Sequence, residues 1–190
     1  MTAYVVVPGI DGSDGAHWQS LWEAEWGADA VRIAPGSWAA PDLEDWVGAV
    51  GRAYEAVAGR GRVVLVAHSL GCWAVAEWVR RAGPEGVAAF LVAAPDPRGT
   101  AFPAQAAPGF VPLRAAALPC PAVLVASADD PYCTSETSAE LAEDWDAQWH
   151  LAGRRGHINS ASGVGYWAEG RELLRWFEEV GGAGPVAGDR

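Results

Sequence analysis

Three short stretches of this chain are apolar at every position: residues 63–67 (VVLVA), 87–93 (VAAFLVA) and 122–126 (AVLVA). Successive residues of a strand point to opposite faces, so a strand with one wet face alternates polar and apolar side chains. A run that does not alternate must be covered on both faces. The segments between such runs space their apolar residues by three and four, which is one face of a helix. Between residues 13 and 26, Trp18, Leu21, Trp22 and Trp26 fall on one side. Beyond Asp42, a plausible N-cap, Leu43, Trp46, Val47, Val50 and Val57 do the same. Further short runs at 4–7, 31–33 and 148–151 bring the strands to six. Helices are expected over 70–82, 135–145 (capped by Thr134 or Ser135) and 163–180. This alternation shows no internal repeat and no linker. It predicts an α/β fold, doubly wound, with a mainly parallel sheet of about six strands and helices on both faces.

The 190 residues suit one domain over 1–180, with the Gly- and Ala-rich residues 181–190 expected to be a disordered tail. Residues 94–119 are rich in Pro, Ala and Gly without a period, and read as a loop with one helical turn or a small cap. Thirteen basic residues, all Arg, stand against 24 acidic ones, a net charge of −11. Such a chain is repelled by phosphate backbones, which argues against nucleic-acid binding. The absence of Lys excludes a Schiff-base or P-loop lysine. No apolar run approaches the roughly 20 residues of a membrane span. Residue 4 already begins a strand pattern with no basic segment before it, so no secretory signal is expected. Cys72, Cys120 and Cys133 are odd in number and lack C-x-x-C spacing. Reduced thiols in the cytoplasm, with no metal and no cofactor, are the expectation.

In a sheet of this kind, ligands bind outside the carboxyl ends of the strands. The loops after residues 7, 67, 93, 126 and 151 are therefore where chemistry should sit. The second of these reads Ala67-His68-Ser69-Leu70-Gly71, between a buried strand and a helix. It is a variant of the nucleophile elbow G-x-S-x-G, in which the sharp turn demands small residues two places either side of the Ser. The elbow exposes Ser69 Oγ at a helix N-terminus, where negative charge is favoured.

A Ser hydroxyl needs a base. Of four His, His68 is expected to turn away into the structure and His150 to be a packed or edge residue of a strand. His17 stands at a helix start near the first loop. His157, in the loop after the last strand, occupies the place of the base in the order Ser…Asp…His. Asp96, Asp129 and Asp130 are the candidate acids. Asp130 is favoured because it directly precedes Pro131, in a turn that aims its carboxylate toward the His loop. Asp129 then reads as a turn or capping residue. Acyl transfer also needs backbone donors for the oxyanion, expected from Leu70 and from Ile10 in Pro8-Gly9-Ile10-Asp11-Gly12. A phosphate cradle is the rival reading of that loop. Its glycines do not fit G-x-G-x-x-G, and Asp11 and Asp14 would repel a pyrophosphate.

Val7-Pro8-Gly9, His17-Trp18, the elbow through Cys72, Asp129-Asp130-Pro131-Tyr132-Cys133 and Gly156-His157-Ile158-Asn159-Ser160 together resemble the small serine hydrolases related to retinoblastoma-binding protein nine and the bacterial YdeN-like proteins. The resemblance runs from residue 4 to about 178. It implies the α/β-hydrolase fold in minimal form, without a large lid, and Ser69, Asp130 and His157 as a catalytic triad. It leaves the substrate open between esters and amides.

The chain holds 11 Trp. Trp22, Trp26, Trp46, Trp78 and Trp176 lie on helical apolar faces and are expected in the core. Trp18, Trp38 and Trp73 lie near strand-end loops or on the helix leaving the elbow. One or two of them are expected to line an apolar acyl pocket, with Asp11, His17, Trp18 and Trp38 as its candidate residues. The expected function is hydrolysis of a small ester, thioester or activated amide through an acyl-enzyme. An acyltransferase using the same triad, or a partner-binding protein that retains the fold, are the alternatives.

Overall fold

The computed structural model describes residues 1–111 and 113–180; the tail expected over 181–190 lies outside the described residues. Six strands form one sheet: β1 (Thr2–Val7), β2 (Ala30–Arg32), β3 (Arg62–His68), β4 (Val87–Val92), β5 (Ala122–Ala126) and β6 (Gln148–Leu151). Their order is β2-β1-β3-β4-β5-β6 and every pairing is parallel. The chain steps outward from β1 to β2, then returns past β1 and proceeds the other way from β3. The reversal opens a crevice between the carboxyl ends of β1 and β3, where Val7 and Ala67 are in register.

Each non-alternating run feeds two cores. Val5, Val7, Leu65, Leu91 and Leu124 face α2 (Leu43–Glu55), α3 (Leu70–Ala82) and α4 (Ser135–Asp144). Val6, Val64, Val66, Phe90 and Val125 face α1 (Trp18–Trp26) and α5 (Ala168–Val180). Helices therefore cover both faces, as the unbroken apolar strands require. Asp42 caps α2 by accepting the Asp45 N–H, and Thr134 caps α4 by accepting the Thr137 N–H.

Two helices start later than their periodicity suggests. Residues 13–17 form turns closed by Asp14, whose Oδ1 accepts the Ala16 N–H, and α1 begins only after His17. Before α5, Gly163, Gly165 and Trp167 all adopt positive φ, which no helix continues through. Among the described residues of 94–119 there is one short helical turn, Pro108–Phe110, and Phe102 and Phe110 tuck into the core beside α2 and α3. Among the described residues there is no large lid.

Trp22, Trp26, Trp46 and Trp78 are buried, but Trp176 is 44% exposed, against expectation. Helix α5 buries Gly170, Arg171, Leu174 and Phe177, and Trp176 falls on its outer side. Among the described residues no helix is long and apolar enough to cross a membrane.

Candidate active site

Ser69 joins β3 to α3 with φ 55° and ψ −128°, a conformation that L side chains rarely adopt. Neighbouring backbone imposes it. The Ser69 N–H donates to Val92 O at 2.9 Å, and Ser69 O accepts the Cys72 N–H at 3.0 Å. The small residues around it are there for space. A Cβ on Gly71 would lie 2.5 Å from both Val7 O and Pro8 O, and one on Gly9 would lie 2.8 Å from Ser69 Cβ. Ala67, at the first small position of the elbow, is fully buried, and its methyl fits there. Ser69 does not cap its own helix. Its Oγ lies instead 2.9 Å from Nε2 of His157.

His157 is turned by two carboxylate oxygens. Its Nδ1 lies 2.9 Å from Oδ1 and 3.0 Å from Oδ2 of Asp130, whose side chain is only 2% exposed. A carboxylate accepts, so Nδ1 carries the proton and Nε2 is left to accept the Ser69 hydroxyl proton. Asp130 Oδ1 also accepts the Tyr132 N–H at 2.9 Å, which fixes the turn through Pro131. The structure thus brings together Ser69, His157 and Asp130. Asp96 sits elsewhere, bonded to the Arg98 backbone beside a second cavity.

Asp129 does more than cap a turn. Its Oδ1 accepts the Gly156 N–H at 2.8 Å and the Ser127 hydroxyl at 2.9 Å, while Ser127 Oγ accepts the Arg155 N–H at 2.9 Å. The Gly156 amide holds the Asp129 carboxyl below the ordinary range. Nor does His68 turn away from the site. It is buried, and its Nε2 lies 2.9 Å from the backbone carbonyl of His157. A neutral His68 donates there and ties the elbow to the loop that carries His157. Burial holds its pKa well below the usual value. Asp129 and His68 stand beside recognisable residues in the chain, but only the fold shows whom they hold.

The loop after β1 presses on Ser69 through Gly9. Asp11 (φ 63°) and Gly12 (φ 72°) bend it, and the Asp11 N–H donates to Trp38 O at 3.0 Å. Among the described residues, the N–H groups of Ile10 and Leu70 have no hydrogen-bond partner, as free oxyanion donors would. Asp14 Oδ1 accepts the Ser160 hydroxyl at 2.8 Å, and that bond is the chief cause of its lowered pKa.

A solvent-open cleft of about 390 Å³ joins these groups. Asp11 and His17 line it, with Ser69, His157 and Tyr132; Pro95 and Pro103 are the contribution of residues 94–119. Trp18 and Trp38 are not among its lining residues. Trp18 is fully buried, and its Nε1 donates to Ile158 O at 2.9 Å, bracing the loop of His157 from beneath. The Trp38 ring lies behind Gly12 and packs against Trp46. Trp73 donates from Nε1 to Pro95 O and borders the second cavity. The expectation of an apolar tryptophan-lined acyl wall therefore meets a more polar cleft.

The sequence model of the serine hydrolase family matches residues 4–176. A structure described as a YdeN-like hydrolase from Pectobacterium atrosepticum is 32% identical. The alignment covers 95% of this chain and 92% of that one, with a TM-score of 0.81. The ydeN gene product of B. subtilis is 22% identical over 93% of this chain and 98% of that one, with a TM-score of 0.64. Mouse alpha/beta hydrolase domain-containing protein 10 is 16% identical over 94% and 90%, with a TM-score of 0.68, a likeness of fold. No curated protein matches the sequence.

Proposed function

Because the chain belongs to the serine hydrolase family, we propose that Ser69, His157 and Asp130 form its catalytic triad and cleave a small ester, thioester or activated amide. Ser69 Oγ bonds to the substrate carbonyl carbon as its proton passes to His157 Nε2. The carbonyl π pair moves onto oxygen, where the Ile10 and Leu70 N–H groups receive the charge. Collapse of this intermediate breaks the bond to the leaving group, which takes the proton from His157 and departs. Water then attacks acyl-Ser69, gives its proton to His157, and the acid is released as Ser69 recovers the proton. Asp130 remains ionised throughout, keeping the ring in its tautomer and stabilising the imidazolium.

The observation that carries this reading is the continuous bond path from Ser69 Oγ through His157 to Asp130, starting at a serine held in a rare backbone conformation. The open cleft favours water as acyl acceptor over a dedicated acceptor substrate. Its volume lies at the small end of ligand pockets and suits a short acyl group. A fluorophosphonate probe should label the wild type at Ser69 and leave Ser69→Ala unlabelled. A panel of p-nitrophenyl esters should then give turnover that falls with acyl length. Labelling that persists in Ser69→Ala, or none in the wild type, would remove the reading.

A further inference from the structure

The two edges of the sheet are finished differently. At one edge every residue of β2 is half-buried; at the other every residue of β6 is exposed. A free edge presents unpaired N–H and C=O groups, and proteins guard it with charged side chains, Pro or a covering element. The β6 sequence Gln148-Trp149-His150-Leu151 holds no Lys, Arg, Asp, Glu or Pro, and shortness is its one guard among the described residues. Backbone groups alternate between the two edges of a strand from one residue to the next. The Ala152 N–H donates to Ala126 O of β5, so His150 also turns its backbone groups toward β5, and Trp149 and Leu151 turn theirs outward. The side chains of Trp149 and Leu151 share one face of the sheet, that of α4, where Trp149 Nε1 donates to Ser138 Oγ. They are 41% and 40% exposed, among the few large apolar side chains left in solvent.

Charge is sorted by the ends of this strand. The exposed Asp144 and Asp146 precede β6, and the exposed Arg154 and Arg155 follow it. Arg154 reaches Asp129 only at 3.5 Å, and its side chain is 79% exposed. An antiparallel strand of the same sequence would bring the acidic end of each copy against the basic end of the other. A parallel one would set like ends together.

We propose that β6 is the contact edge between two copies of this chain, paired antiparallel about a two-fold axis at His150. The register follows from the outward residues. Trp149 of each copy faces Leu151 of the other, and each such pair exchanges both of its backbone bonds. On the α4 face the same register lays each indole against the leucine of the second copy, an apolar cross-strand pair. Stepping outward from His150, Asp146 of one copy meets Arg154 of the other, once at each end. This charge match selects a second copy over an unrelated extended peptide. The contact is isologous, so it closes at two copies. The edge is short and lies below the area of a standard interface, so a weak, micromolar dimer is expected.

Sedimentation equilibrium of the full chain from about 1 to 500 µM tests it, a range that covers weak association. The expected result is a reversible monomer–dimer equilibrium. Leu151→Lys places a charge against Trp149 of the second copy and should leave only monomer over that range. Arg154→Asp sets carboxylates together at each end and should weaken the dimer about tenfold. Both changes fall on exposed side chains, and circular dichroism checks that the fold is kept. The register has its own test. The two His150 positions face each other as a non-hydrogen-bonded pair, with Cβ atoms about 4.5–5.5 Å apart. In a glutathione redox buffer His150→Cys should therefore form an interchain disulfide that Gln148→Cys does not. A wild type that stays monomeric throughout overturns the proposal and leaves the edge to an extended segment of another protein. A dimer equally strong in Leu151→Lys and Arg154→Asp overturns it as well. So does cross-linking in Gln148→Cys without cross-linking in His150→Cys.

Discussion

The carboxylate of Asp129 accepts the backbone N–H of Gly156 at 2.8 Å, one residue before His157. Its neighbour Asp130 meanwhile grips the His157 ring. Two adjacent acids thus hold His157 by two handles, one on the backbone of the residue before it and one on its imidazole. Asp130→Asn should cost about 10⁴-fold in kcat, by analogy with the triad Asp of trypsin-like enzymes, because the wrong tautomer is stabilised. Asp129→Ala leaves the tautomer intact and loosens only placement, for which about 10–100-fold is expected. Ester hydrolysis rates of the two variants check this. Equal losses would mean that both acids act on the ring.

Trp18 illustrates a residue that acts without facing the cleft. Its Nε1 bond to Ile158 O braces a residue held at φ 50°, next to His157. Trp18→Phe keeps most of the buried ring and strands that carbonyl, which should lower stability by about 1–3 kcal/mol. Acyl-chain preference should stay as in the wild type. A changed preference among p-nitrophenyl esters of two to eight carbons would place Trp18 at the substrate after all.

The unbroken apolar strands were legible because double coverage leaves no polar face to alternate. The elbow was legible because its steric demand is local: Gly71 and Ala67 lie within two residues of Ser69. The bonds that aim His157 were not. His68 meets His157 across 89 positions and Trp18 meets Ile158 across 140, and no local pattern encodes such pairings. Trp176 was misplaced for a related reason. Leu173, Leu174, Trp176 and Phe177 fit more than one helical face, and contact with the sheet, through Leu174 and Phe177, selects among them.

Gly71 permits the close approach of α3 to the end of β1. A methyl there would meet two backbone carbonyls at 2.5 Å, and neither oxygen is the end of a flexible side chain. Gly71→Ala should therefore destabilise the fold by about 2–3 kcal/mol, typical of overpacking. In a domain of this size that is roughly 4–12 °C in Tm. Thermal unfolding followed by circular dichroism measures it. A Tm within a degree of the wild type would show that α3 can shift outward at little cost.

His17 and His68 make acid the weak side of this fold. Burial is the chief cause of both depressed pKa values, that of His17 falling from 6.5 to about 4. An imidazole buried neutral binds its proton less readily folded than unfolded, so stability is fully present above about pH 6.5 and is lost as pH falls toward 4. At 1.36 kcal/mol per pKa unit, His17 alone accounts for about 3 kcal/mol across that window. His68 adds to it in the same direction. The urea midpoint should thus drop steeply between pH 6.5 and 4 in the wild type and less steeply in His17→Phe, whose side chain has no proton to gain. Parallel curves for the two proteins would mean that His17 keeps its ordinary pKa in the folded state.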